Sequence, residues 1–151
     1  MKPITIRIQR HNNQTPQEIC AAFLDTDRWP EFQGYSILPG IKSARFETRT
    51  SNMIGSRIRV HNTDESSHVE EIIEWDENRK LALRFQEFNS PLKDLASHFI
   101  EEWIFAPSQS GTEVIRSMSM YPKNVLGWVM LFPISRLMKK AFEKNASQLE
   151  K

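Results

Sequence analysis

The sequence predicts an α+β domain, ordered as one strand, two short helices, a run of antiparallel strands and a long closing helix. Three patterns carry that reading. Ile4-Thr5-Ile6-Arg7-Ile8 alternates with period two, as a half-buried strand does. The stretch from Arg45 to Tyr121 keeps a β pattern broken by turn residues. From Leu126 to Leu149 the apolar residues recur at spacings of three and four, which is one face of a helix.

Composition narrows the class. The chain has 151 residues, with 20 Lys and Arg against 19 Asp and Glu, so the formal charge is +1. That length suits one domain over residues 1–151, large enough to bury roughly 70% of its unfolded surface. The balanced charge argues against a dedicated nucleic-acid binder, and 39% hydrophobic residues argue against disorder. One cysteine, Cys20, excludes an intramolecular disulfide and a multi-cysteine metal site. The start, MKPITIRIQRHNN, lacks the apolar run of a signal peptide. The longest apolar stretch, Val125 to Ile134, is shorter than the ~20 residues a spanning helix needs. The expected location is the cytoplasm.

The elements follow in order. After the first strand, Thr15-Pro16-Gln17-Glu18 supplies an N-cap, a proline at the first helical position and the glutamate of a capping box. Ile19, Cys20, Phe23 and Leu24 form the apolar stripe of that helix. Asp27 can cap a second short helix, although Trp29 precedes a proline and should lean extended. A two-residue turn at Asp64-Glu65 would pair His61 with His68 and Arg59 with Glu70. This puts Glu71 on the dry face with Ile58, Val60, Val69 and Ile73. A three-residue loop at Asp76-Glu77-Asn78 would pair Glu71 with Leu83. Around Pro107–Gly111, a four-residue loop sets Trp103 opposite Val114 and Glu101 opposite Arg116, whereas five residues bring Ile104 and Glu102 there. Both leave Arg116 facing a glutamate, on one side with Val114, Met118 and Met120. In the last helix the stripe is Leu126, Met130, Ile134, Leu137, Met138, Ala141, Phe142, Asn145 and Leu149, with a kink or start near Pro133.

This order resembles the START-like helix-grip (SRPBCC) superfamily, in particular its polyketide cyclase/dehydrase and lipid-transport group. The residues that carry the resemblance are Thr15–Ile19, Leu24-Asp25-Thr26-Asp27-Arg28-Trp29-Pro30-Glu31-Phe32, Glu74-Trp75-Asp76-Glu77-Asn78-Arg79-Lys80-Leu81, and Glu102–Phe105 leading to Gly111–Val114. The resemblance covers essentially the whole chain. It implies a curved antiparallel sheet gripping the last helix, and a cavity between them for a hydrophobic small molecule, lipid- or polyketide-like. On that fold the candidate ligand wall is Phe23 and Phe32 from the early helices, Ile58, Phe85, Trp103 and Met118 from the strands, and Met130, Ile134 and Leu137 from the last helix. Glu71 and Arg116, with Glu101 or Glu102, are the candidate polar anchors, because sites of this kind set a few polar groups in apolar walls.

Other motifs are weaker. His61 and His68 would sit side by side, but two histidines on a wet face do not make a metal site, and none is expected. Cys20 reads as core. No phosphate loop or nucleophile motif occurs in the sequence, so no cofactor is expected. The favoured reading is a binding or carrier module without covalent chemistry. The other is a cyclase or dehydratase using Glu71 or a histidine as acid/base. Trp128, Leu131 and Phe132 fall off the main stripe and would suit the cavity mouth, a homodimer contact or a transient membrane contact. The last 30 residues add to that reading with six Lys/Arg against two Asp/Glu.

Overall fold

In the computed structural model, which describes the backbone of residues 1–149 and the side chains of 1–147, one antiparallel sheet of seven strands curves around a long helix. The chain runs β1 (Ile4–Asn12), α1 (Pro16–Leu24), the 3-10 helix η1 (Thr26–Glu31), β2 (Ile41–Thr48), β3 (Arg57–Asn62), β4 (Ser67–Asp76), β5 (Lys80–Gln86), α2 (Leu92–Leu95), β6 (Ala96–Ser108), β7 (Gly111–Pro122) and α3 (Val125–Leu149). The sheet order is β1-β7-β6-β5-β4-β3-β2, so the first strand pairs with the last. Helix α3 packs against β1 and β7, and η1 packs against β2. The space between them lies over the middle strands.

The helix starts follow local chemistry. Thr15 and Glu18 complete the capping box, with Glu18 N–H donating to Thr15 Oγ1 and Thr15 N–H to Glu18 Oε1, both at 3.1 Å. Trp29 is helical rather than extended. Its indole N–H donates to the Phe23 carbonyl at 2.8 Å, and its ring packs on Phe23, which outweighs the bias set by Pro30. Pro133 lies inside an unbroken α3.

The hairpin registers differ from the sequence expectation, and one difference matters most. Between β3 and β4 the Asn62–Ser66 pair closes a turn of three residues, Thr63-Asp64-Glu65, with Glu65 in the left-handed region at φ 72°. Asp64 Oδ1 accepts from the Ser66 N–H at 3.0 Å and Asn62 N–H donates to the Ser66 carbonyl at 2.8 Å. His61 therefore pairs with Ser67, Val60 with His68 and Ile58 with Glu70. A one-residue slip moves every side chain of a strand to the other face. His68 and Glu70 turn inward and Glu71 outward.

The next hairpin pairs Asp76 with Lys80, and a bulge near Ile73 sets Glu71 opposite Arg84. The last hairpin turns at Gln109-Ser110, tighter than either loop length expected, and pairs Trp103 with Arg116. Early in α3 the buried stripe also shifts. Leu131 is fully buried, whereas Leu126 is 64% exposed. Gly127 explains the turn of the helix, because a Cβ there would lie 2.2 Å from the Leu95 carbonyl oxygen. The helix approaches α2 through its glycine. The side chain of Leu149, expected in the stripe, lies outside the described residues.

Candidate functional site

Between the concave face of the sheet and α3 lies a cavity of about 720 Å³. Its walls are mostly apolar, and a polar strip crosses its floor from β4 to β7. At one end of the strip are His68 and Glu70, alternate residues of β4. His68 Nε2 stands 2.9 Å from Glu70 Oε2. Asn62 Nδ2 lies 3.1 Å from Ser66 Oγ, to which it donates, and 3.3 Å from His68 Nδ1. With Asn62 donating to Nδ1 as well, the ring carries its proton on Nε2 and gives it to Glu70. The imidazole also stacks on Phe85, centroids 5.1 Å apart.

At the other end Glu101 of β6 and Arg116 of β7 form a buried ion pair, Arg116 Nε to Glu101 Oε2 at 2.6 Å. Trp103 Nε1 donates to the same oxygen at 2.6 Å, and Arg116 Nη1 donates to Asn145 Oδ1 of α3 at 2.9 Å. The guanidinium carbon lies 3.9 Å from the centroid of Phe142 and 4.6 Å from that of Trp103. Such planar, weakly hydrated cations suit aromatic faces. Arg116 thus ties the sheet to the helix across the cavity floor.

The sequence-derived wall residues fall out unevenly. Phe23, Phe32, Phe85, Trp103 and Met118 line the cavity, as do Met130, Ile134 and Leu137 on α3 and Arg116 on the floor. Ile58 does not. It faces inward but is wholly shut off in the core, so it offers a ligand no surface. Glu71 does not either. It sits on the outer face, where Gln86 Nε2 donates to it at 3.0 Å and Arg57 lies 3.8 Å away. Glu71 is replaced as a cavity carboxylate by Glu70. Glu102 is outward too, paired with Lys80 at 2.7 Å.

The expected facing of Arg116 on a glutamate takes a different form. Trp103 is directly opposite, and Glu101 reaches Arg116 along the diagonal. His61, exposed and outward, is parted from His68, so the two do not converge. Among the described residues no cluster of three His, Cys, Asp or Glu is arranged to hold a metal ion.

Glu70 is 4% exposed, and burial raises its carboxyl above the usual carboxylate range, opposed by the His68 hydrogen bond. Glu70 Oε1, unlike Oε2, has no hydrogen-bond partner among the described residues. Cys20 is fully buried and its thiol is pushed up to about 12 by burial, which makes it a core residue rather than a nucleophile.

A sequence model of the family described as polyketide cyclase / dehydrase and lipid transport matches residues 3–151. The chain belongs to this family. The fold is shared with many solved structures. A protein from Thermus thermophilus is 18% identical, with a TM-score of 0.72, over 97% of this chain and 94% of that one. A START superfamily protein from Mycobacterium smegmatis is 13% identical at a TM-score of 0.70, over 99% and 95% of the two chains. The ginseng major latex-like protein 151 from Panax ginseng is 11% identical at 0.66, over 98% of each. At these identities the likeness shows the fold alone. A search of curated protein sequences gives no match.

Proposed function

We propose that the protein binds an amphipathic small molecule inside the cavity, with its apolar body against the aromatic and methionine walls and its polar head on the strip of His68, Glu70, Glu101, Arg116 and Asn145. The observation that carries this reading is a cavity of about 720 Å³, within the range of small-molecule sites, whose floor is crossed by buried polar side chains. The family supports it at the level of hydrophobic ligand binding. Met118, Met130 and Met138 give the wall the adaptability of an unbranched, polarizable side chain.

Native mass spectrometry of protein purified from cells, with organic extraction of the bound compound, tests the proposal together with titration of anilinonaphthalene sulfonate as an anionic apolar probe. The expected result is one bound molecule per chain and probe binding that falls at least tenfold in Leu137→Trp, which fills the cavity. Glu71→Gln should leave probe binding unchanged. An empty protein that also fails to bind the probe, or a probe indifferent to Leu137→Trp, overturns the reading.

A second reading rests on one specific feature, the buried Glu70 carboxyl at the cavity wall, whose pKa burial raises. Glu70 would act as a general acid in the loss of water from a β-hydroxy ketone, giving its proton to the departing hydroxyl and regaining one from the adjacent carbon. Here Glu70→Gln keeps binding and loses turnover. Dehydration that survives the substitution sinks this role.

A further inference from the structure

We propose that the first half of α3 docks on an anionic lipid surface, seating the cavity mouth against the bilayer. The helix turns one side outward through its first four turns. Over its first two turns that side is apolar: Val125, Trp128, Val129 and Phe132 are all exposed. Over the next two turns the same side carries Arg136, Lys139 and Lys140. From Pro122 to Phe142 the chain has no Asp or Glu, and among the described residues those three bases make no ion pair. Arg136 lies over the Phe132 ring at 4.9 Å, joining the apolar and basic parts of the face.

Charge and chemistry select the occupant. Binding of an amphipathic helix at the bilayer interface grows with its buried apolar area and with the attraction of its basic residues to anionic lipids. The two attractions are built here into one helix side. Trp128 packs on Phe132 at 5.9 Å, 43% exposed, and its indole N–H makes no hydrogen bond among the described residues. An exposed indole with a free donor suits the bilayer interface, where one edge is apolar and the other wet. A second copy meeting it symmetrically would bring the same acid-free face, leaving the bases without counter-charge. Lipid phosphates supply it.

Position ties the face to the cavity. Met130, Ile134 and Leu137, on the adjoining side of the same helix, line the cavity, and so does Ile37, which is 84% exposed. A docked α3 would set that opening at the headgroup boundary. The docking itself does not depend on what the cavity holds.

Flotation of the purified chain with phosphatidylcholine vesicles, with or without phosphatidylglycerol, tests the proposal. Binding should require phosphatidylglycerol and weaken sharply in high salt. Arg136→Gln with Lys140→Gln should weaken it about 25-fold, at roughly fivefold per charge near an anionic surface. Trp128→Ala should weaken it about tenfold or more. Neither variant touches the cavity wall, so both should keep the thermal stability and the probe titration of the parent. Three results overturn the proposal: no vesicle binding, equal binding to neutral vesicles, or binding unaffected by both variants. Trp128-dependent self-association without vesicle binding assigns the face to a second copy and overturns it as well. Loss of probe binding with vesicle binding intact would reject the cavity reading alone.

Discussion

Two adjacent glutamates meet opposite fates. Glu71, half-exposed among Arg57, Arg84 and Gln86, takes part in surface pairing worth at most about 1 kcal/mol. Glu70 is desolvated, so its neutral form is favoured in the fold. Its folded-state pKa lies above the unfolded value, so between the two the folded protein holds more protons. Stability from this group is present at low pH and is lost as pH rises through the raised value. Glu70→Gln should therefore match the parent in acid and become relatively more stable as pH rises past the usual carboxylate range, as read by chemical denaturation across pH. A difference constant with pH would contradict the assignment. The ion pair gives a second expectation. Arg116→Met leaves Glu101 buried and uncompensated, which should cost ~3–5 kcal/mol, whereas adding Glu101→Leu should restore much of it. A double-mutant cycle by denaturant unfolding reads the coupling. The identity of the inward carboxylate was not legible in advance. Glu70 and Glu71 are consecutive, so any strand register buries one of them, and opposite charges can be matched on the outer face in either register.

At the scale of elements, the β3–β4 turn decides which carboxylate enters. Glu65 occupies a left-handed conformation at φ 72°, unfavourable for a side chain by roughly 1–2 kcal/mol. Glu65→Gly should relieve part of that and stabilise the hairpin by about 0.5–1 kcal/mol, visible as a higher denaturation midpoint with an unchanged slope. No asparagine or glycine marks that position, which is why a two-residue turn reads equally well from the sequence. Other elements were fully legible, because their determinants are local. The capping box at Thr15–Glu18 and the alternation in β1 are examples. The rotation at the start of α3 was not, since it depends on Gly127 meeting the Leu95 carbonyl across the fold.

For the whole molecule, a cavity of about 720 Å³ under a seven-stranded sheet means that apolar side chains line a binding-sized space instead of packing on one another. Filling it should raise stability by mass action. At a hundredfold excess over the dissociation constant, a bound amphiphile contributes about 2.7 kcal/mol, or roughly 5–10 °C in melting temperature for a chain of this size. Differential scanning fluorimetry against a panel of amphiphiles would show it, and the shift should vanish in Leu137→Trp. No described helix is long and apolar enough to cross a membrane. The outward side of α3 is apolar over its first turns and basic beyond them, a pattern suited to lying on a surface rather than spanning one.

The sequence by itself determined the fold class, the succession of first strand, two short helices, antiparallel strands and long last helix, and the inward side of Arg116 with Met118, though not the short helix α2. Periodicity and capping, whose physical range is a few residues, carry that succession, whereas the cavity and its apolar wall were implied by the family resemblance. Only the tertiary structure decided that His68 and Glu70 enter the cavity while Glu71 leaves it, that Asn145 meets Arg116 across it, and that Trp128 and Phe132 stay outside. Each of these depends on a one-residue register or on one helix turning against a neighbour. Such choices are settled by contacts between segments far apart in the chain, and the local pattern is nearly neutral to them.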